Sequence, residues 1–420
     1  MKKPTQAMKL ALAVGFVASQ MAIAADLKAP FSLPSARVLP KGVRNLSYKD
    51  VIAGANERYA NNGQPVALAN AMNQPISFQR VIDSKKEAWE KAAIEQAMLD
   101  LGKTPDDSFG STTGDVNVSA TAHVPVLAWG LTNKFTFAVA VPIIQSTVNV
   151  DTGVVQQNPQ LHAQMVAALN SKGVSTKVAE LNDKMANAIP EKLNEYGYHT
   201  IQNENKTALG DIKLVGKYNF VQQAEHLVTA NLEVTLPTGK DVDVNEVVDV
   251  ASGDEQTDVG VGMNYDYNLS ETLTLSTGAS YTVQLADRAA RRIPEFSYSR
   301  LSPDIDGKSE RDLGDIAAAQ FGTAWNFKGM NLGAGYTYQY KGADRFNGSA
   351  YSSERYDWLE IDTRQNMHAV QLVAGYDTIY LFKKKSFPAP LKVLFTHTRV
   401  VDGKNVVKDP LYALDFNLFF

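Results

Sequence analysis

The stretch DVGVGMNYDYNL, residues 258–269, places Val259, Val261, Met263, Tyr265, Tyr267 and Leu269 on one side of an extended chain. Asp258, Gly260, Gly262, Asn264, Asp266 and Asn268 fall on the other, because successive side chains of a strand point to opposite faces. Strands of soluble sheets are usually about five or six residues long. Twelve residues in unbroken register suit a tilted strand with lipid on one face and water on the other.

The same partition recurs on both sides of this stretch. Val116, Val118, Ala120, Ala122 and Val124 oppose Asp115, Asn117, Ser119, Thr121 and His123. Phe135 to Ile143 alternate likewise, and Ile212, Leu214, Tyr218 and Phe220 oppose Asp211, Lys213, Lys217 and Asn219. Leu232, Val234 and Leu236 stand against Asn231, Glu233 and Thr235. Further strands centre on 273–283, 321–327, 332–340, 370–380 and 393–395, and the chain ends on Tyr412, Leu414, Phe416, Leu418 and Phe420. That terminal face, with its last aromatic, resembles the assembly signal of outer-membrane barrels, here Tyr412, Phe416, Leu418 and Phe420.

Eleven strands with alternating short and long connections leave one ascending strand to be found, since a barrel in lipid cannot keep an open edge. The expected strand is about 41–54, with Val43, Leu46, Tyr48, Val51 and Ala53; the rival is Met72 to Ile82. The fold class is therefore all-β: a transmembrane antiparallel up-and-down barrel of about twelve strands, with short periplasmic turns and long outer loops.

The first residues carry Lys2, Lys3 and Lys9, an apolar run from Leu10 to Ala18 and the small-residue pattern Ala22-Ile23-Ala24, which is the form of a cleaved secretory signal. The expected organisation is a signal peptide at 1–24, a periplasmic or lumenal segment at 25–40, and the barrel at 41–420. Loss of the leader takes the net charge from −4 to −7, so nucleic acid is not an expected partner. The absence of Cys in 420 residues excludes disulfides and thiolate chemistry. No apolar run after the leader reaches the roughly 18 residues of a membrane helix. The mean hydropathy of −0.22 is uninformative, because alternating strands average out.

Two outer loops are expected to be helical, at about 84–102 and 157–196. Ser84-x-x-Glu87 has the form of a capping box ahead of Ile94, Met98 and Leu101. Asn158-Pro159 opens a helix with Leu161, Met165 and Leu169, and a second carries Val178, Leu181, Met185 and Ile189. These stripes are expected to pack on one another or over the barrel mouth.

The candidate functional residues are those on the polar face: Asp115, Asp211, Lys213, Lys217, Glu233, Asp258 and Asp266. Unpaired charges facing lipid near the midplane would cost about 2–4 kcal/mol each, so as a group they imply an interior holding water or a plug. Arg288, Arg291, Arg292, Arg300 and Arg311, interleaved with acids, suggest a solvated loop or contacts with anionic surface lipid. Phe296, Tyr298, Phe346, Tyr351, Tyr356 and Trp358 are candidates for a ligand-collecting surface. No catalytic, cofactor or metal-ligand pattern is found. His397, in Thr396-His397-Thr398, lies on the lipid-facing side by register and suits an interfacial belt better than a general base.

Three phrases of strand and turn carry a resemblance. They are Gly130-Leu131-Thr132-Asn133-Lys134-Phe135-Thr136 with Pro142, then Leu209-Gly210-Asp211-Ile212 with Lys217-Tyr218, and Leu236-Pro237-Thr238-Gly239 before an acidic loop. Together they resemble the outer-membrane family named for meta-pathway phenol degradation, over about 112–290. The resemblance implies a distant relative of the long-chain fatty-acid transporters, which pass hydrophobic compounds through the barrel wall behind an N-terminal Asn-Pro-Ala plug. That tripeptide does not occur here, and Asn70-Ala71-Met72-Asn73 does not replace it.

The expected function is passive outer-membrane uptake of small hydrophobic or aromatic molecules. The expected partners are outer-membrane lipid, the barrel assembly machinery and a small hydrophobic ligand. The alternatives are a non-transporting surface protein whose loops bind a partner or lipid, and an outer-membrane hydrolase.

Overall fold

The computed structural model describes residues 27–73, 75–83, 87–155, 159–171, 193–295, 297 and 301–420. The expected leader, Ser84, Asn158, Arg300, Phe296, Tyr298 and the second helix around 178–189 lie outside them.

Among the described residues, twelve antiparallel strands close into one barrel. They are β1 (Arg44–Ala55), β2 (Ser108–Gly130), β3 (Phe135–Ala140 continued by Ile143–Val155) and β4 (Glu204–Leu209 continued by Ile212–Gln222). Next come β5 (His226–Leu236), β6 (Asp258–Asn268), β7 (Leu273–Gln284) and β8 (Ile316–Phe327). The last are β9 (Met330–Lys341), β10 (Gln365–Asp377), β11 (Leu391–Lys404) and β12 (Leu411–Phe419). β1 closes the ring: Asn45 to Ala53 pair with Phe419 to Leu411, and Arg44 to Ala55 pair with Trp129 to Val118. The Met72–Ile82 alternative does not span. It becomes a 3-10 turn at Leu68–Met72, a three-residue strand Pro75–Ser77 on the outer end of β2, and helix α1 (Phe78–Asp83).

The outer wall is apolar, as lipid requires. Leu46 and Ile52 on β1, Leu127 and Trp129 on β2, Leu232 on β5, Phe321 on β8 and Leu372 on β10 are all exposed. β1 alternates poorly because Asp50 interrupts this face. His123 of β2 meets it, with Nδ1 2.6 Å from Asp50 Oδ1, so a cross-strand pair shelters the carboxylate.

β2 requires a correction. Val116 and Val118 are each 2 % exposed and point inward, while Asp115 is exposed on the outer side. The strand is 23 residues long, more than a membrane needs. Its outer half rises above the lipid and turns its apolar face onto Leu68, Met72, Leu193, Tyr198, Val247 and Val248 of the folded loops. The lipid face of β2 is instead the opposite parity, Leu127 and Trp129, nearer the periplasm.

The loops form two apolar layers over the mouth. In one, Ile76, Phe78, Val81 and Ile82 pack on Ile94 and Met98 of helix α2 (Ala88–Asp100) and on Leu161, Met165 and Leu169 of helix α3 (Pro159–Ser171). Glu87 is the N-cap of α2 and makes no side-chain capping bond. Of the interleaved arginines, Arg291, Arg292 and Arg311 are buried rather than solvated, while Arg288 is exposed. Arg292, 6 % exposed, donates all five N–H groups: Nε to Val244 O, one Nη to Tyr196 O and Ser302 O, the other to Gly197 O and Asn245 Oδ1. Arg311, 1 % exposed, pairs with Asp241 and Asp287, both at 2.7 Å, and Arg291 joins it on Asp241. Of the aromatic candidates, Tyr356 is buried with its hydroxyl on Asp306, and Tyr351 stacks under Arg355.

The periplasmic turns are short, except for the connection of β10 to β11. In Lys328-Gly329 both φ values are positive, +49° and +92°, the pattern of a tight hairpin turn of the mirror-image type. A Cβ on Gly329 would stand 2.3 Å from Asp377 O. Gly329→Ala is therefore expected to lower the folding stability of the barrel by about 1–3 kcal/mol, read as an earlier midpoint in a urea titration in phospholipid vesicles. An unchanged midpoint would contradict this account of the turn.

Candidate functional site

Residues 27–40 run through the barrel interior as an extended strap, from the outer mouth to the periplasmic end. At the top, Leu27 joins an apolar cluster with Tyr59, Met367, Val400 and Val406, and its N–H donates to Gln365 Oε1 at 2.7 Å. Below it, Pro30 O accepts from Thr398 Oγ1 at 2.6 Å and from Gln371 Nε2 at 2.8 Å. Lower still, Ser35 O accepts from Lys217 Nζ, and Ala36 O accepts from Asn219 Nδ2 at 3.2 Å. The periplasmic end is held by Leu39 N donating to Thr136 Oγ1 at 2.8 Å and Lys41 N donating to Asn133 Oδ1 at 2.9 Å. Strap carbonyls and amides that a sheet would pair are thus answered by side chains of the wall, as buried backbone groups require.

Leu33 and Pro34 sit in a socket made of missing side chains. A Cβ on Gly335 would stand 2.4 Å from Leu33 Cδ2, and one on Gly333 2.7 Å from Leu33 Cδ1. Gly278 and Gly322 face Pro34, at 3.2 and 3.4 Å. The four glycines lie on β7, β8 and β9 at inward-facing positions, opposite in parity to the exposed Leu275, Phe321 and Leu332. Glycine in a strand commonly marks the close approach of another backbone, and here the barrel wall is thinned to admit the strap.

The charged residues expected inside divide into two groups. Lys217 and Asp266 hold the strap: Lys217 on Ser35 O, and Asp266 Oδ2 3.4 Å from Ser35 Oγ. Asp211, Lys213, Glu233 and Asp258 lie nearer the outer mouth. Lys213 pairs with Glu233 at 2.5 Å. Asp211 accepts from Gly239 N at 2.8 Å and Asp254 N at 3.3 Å, so it anchors the loop after β5. Asp258 faces Asp254, Lys213, Asp211 and Lys28 of the strap. In the outer loop, burial raises the Asp254 carboxyl above its usual range, while its bond from Gln256 N and the charges of Lys28 and Arg311 pull it back. Asp115 joins neither group, since it is outside the barrel. On the wall at the closure seam, Lys49 of β1 pairs with Asp415, its cross-strand partner on β12, at 3.1 Å.

Sequence reading missed Thr136, Gln371, Thr398 and the glycine socket. Their signal was faint: single polar residues or glycines at inward positions, which acquire meaning only when residues 27–40 are known to lie inside. His397 lies against Tyr412 on the outer face, ring centroids 5.0 Å apart with the rings tilted. Among the described residues, no group of three or more His, Asp or Glu could hold a metal ion. A cleft of about 610 Å³ opens elsewhere, in the outer loops, between Arg288, Glu310, Arg345, Phe346 and Glu360; its lining is mostly charged.

Residues 102–383 match the model of the family described as "Putative MetA-pathway of phenol degradation". No curated protein matches the sequence. Among solved structures, an outer-membrane channel from Pseudomonas putida F1 superposes with a TM-score of 0.53 at 12 % identity, over 93 % of this chain and 100 % of that one. This shows that the two share a barrel fold. The Pseudomonas putida toluene transporter TodX gives a TM-score of 0.33 at 10 % identity, over 95 % and 97 % of the two chains. The monoaromatic hydrocarbon channel CymD gives 0.34 at 9 %, over 99 % of each.

The socket makes the strap's seating testable. A leucine at 335 would occupy the place of Leu33, so Gly335→Leu is expected to unseat the strap without opening the strand ladder. In an Ala36→Cys background, a position 0 % exposed while the strap is seated, on a chain with no other Cys, labelling by a polar maleimide should be at least about tenfold faster with Gly335→Leu, for about 1.4 kcal/mol of lost seating. Equal labelling rates would show that the socket does not hold the strap.

Proposed function

Since the chain belongs to the phenol-degradation family that its residues 102–383 match, we propose that it is a passive outer-membrane channel for small hydrophobic or aromatic molecules, with residues 27–40 as its removable stopper. The observation that carries this reading is the glycine socket. An apolar Leu33-Pro34 pair occupies a slot in the inner wall, and once vacated that slot would present backbone and small apolar surface of the kind a compact hydrophobic solute can fill. The bonds that tie the strap to the lumen wall above Pro40 are to side chains, which water can replace at a net cost of about 0.5–1.5 kcal/mol each. Release is thereby compatible with an intact barrel. The Pseudomonas putida outer-membrane channel that shares the barrel fold fits this assignment better than a hydrolase does, and His397 lies on the outer face against Tyr412, away from the lumen.

The fate of the N-terminus belongs to the same proposal: cleavage after Ala24 would leave a short lead into the strap and a barrel beginning near residue 41. Lys213, Glu233, Asp211 and Asp258 would then keep the upper lumen hydrated beside the strap.

In proteoliposomes, the full mature chain should take up labelled monoaromatic compounds faster than empty vesicles do, and glucose no faster than they do. Lys217→Met with Gln371→Leu removes two of the strap's anchors and should raise single-channel conductance several-fold. No aromatic uptake by either protein, with both correctly folded, would reject the channel assignment.

A further inference from the structure

We propose that the periplasmic rim of the barrel is a seat for anionic phospholipid of the inner leaflet. Along one arc, from the β8–β9 turn through the β10–β11 turn to β1, the rim carries exposed Lys328, Lys383, Lys384, Lys385 and Arg44. Of the other three turns, the β2–β3 turn next to β1 carries exposed Lys134, whereas the β4–β5 and β6–β7 turns carry Glu225 and Glu271 instead. The basic arc is continuous with the lipid-facing wall and lies where headgroups meet the hydrocarbon.

Three features go beyond a run of surface lysines. First, the cations are stacked on aromatics at the same level: Arg44 over Trp129 at 5.4 Å, Lys328 over Phe327 at 5.0 Å, and Lys384 over Tyr380 at 4.4 Å. An aromatic body in the interface with a cation above it is the arrangement that bridges acyl chain and phosphate. Second, the 13-residue β10–β11 connection carries a short helix, Ile379–Lys383, with Phe382 and Phe387 exposed. No solvent-facing turn needs those aromatics, whereas a turn resting against lipid can bury them.

Third, the lysines are kept at a conformational cost. Lys385 ends the helix with φ at +58°, and the bonds Lys385 N to Phe382 O and Ser386 N to Leu381 O are those of a helix end that normally takes glycine at this position. Lys328 holds the first place of its two-residue turn at φ +49°, where asparagine, aspartate or glycine is the usual choice. Backbone strain at two lysines on one rim points to a role for their side chains. Charge complementarity and continuity with the belt identify the occupant as a phosphodiester headgroup on a lipid rather than a soluble protein.

The test uses the full mature chain in nanodiscs with equal phosphatidylglycerol and phosphatidylethanolamine, and native mass spectrometry to count the lipids that leave with the barrel. Phosphatidylglycerol should be enriched about fivefold or more. Lys328→Gln with Lys383→Gln, Lys384→Gln and Lys385→Gln should bring the two lipids to parity, and the matching arginine variant should retain the enrichment. Heat-modifiable migration on gels verifies that each barrel is folded. Should the neutralised variant not fold, molar salt on the wild type decides, because screened attraction disappears there. Parity in the wild type, enrichment surviving neutralisation, or enrichment surviving molar salt would overturn the proposal.

Discussion

A hydrocarbon layer offers no partner to a backbone N–H or C=O, and each one left unpaired there costs several kcal/mol. Every strand of this chain must therefore have two neighbours, and the last strand can be stable only if the first one joins it. β1 meets that demand from both sides, bonded along Asn45–Ala53 to β12 and along Arg44–Ala55 to β2. Its outer face is compromised by Asp50 and its inner face by Val51 and Ala53. Closure prevails over both, because leaving two edges in lipid would cost far more than one sheltered carboxylate. The terminal Phe420 belongs to the same seam: its N–H donates to Arg44 O, and Arg44 N donates back to Phe420 O.

Once the ring closes, its interior must be filled by water or by protein. The upper lumen keeps charge, with Lys213 on Glu233 and Asp211 on the backbone of the β5–β6 loop. The middle is filled by the strap, in two different ways. Leu33 and Pro34 fit because Gly278, Gly322, Gly333 and Gly335 have no side chains. The strap's carbonyls are answered by Gln371, Thr398, Lys217 and Asn219. A ladder-bonded segment would have become a wall strand. Held by side chains alone, the strap remains separable from the wall.

The strands could be read from the sequence wherever one face meets lipid and the other meets water, because that contrast imprints period two. The reading failed in β2 where the contrast disappears: above the membrane, Val116 and Val118 face a protein core and Asp115 faces solvent, so the apolar parity reverses within a single strand. It failed also for Arg291, Arg292 and Arg311. Interleaved signs in a sequence look alike whether the charges are hydrated or saturated by buried carbonyls and carboxylates, and the five acceptors of Arg292 come from three separate segments. Of the interior charges, Lys217 and Asp266 were visible as inward residues, but their attachment to Ser35 was not, since residues 27–40 carry no period that assigns them to a wall.

The two ends of the strap are not equivalent, and this limits how it can move. Its periplasmic end is covalently continuous with β1 and is pinned where Gly130 accepts the backbone so closely that a Cβ would stand 2.0 Å from Pro40 O. Its outer end, at Leu27, is held by the Gln365 side chain and by contact with Met367, Val400 and Val406. With the leader cleaved as proposed, displacement would pivot near residues 40–44 and free the outer end first. A solute arriving from outside meets this apolar contact before it meets the socket, and it can shift the strap only to the extent that it binds the vacated wall more tightly than the occupied one. On the proposed function, an apolar solute would have such a preference for Leu27's cluster and for the Leu33 slot. A hydrated sugar does not, because the surfaces uncovered there offer it few hydrogen bonds in exchange for those it has with water.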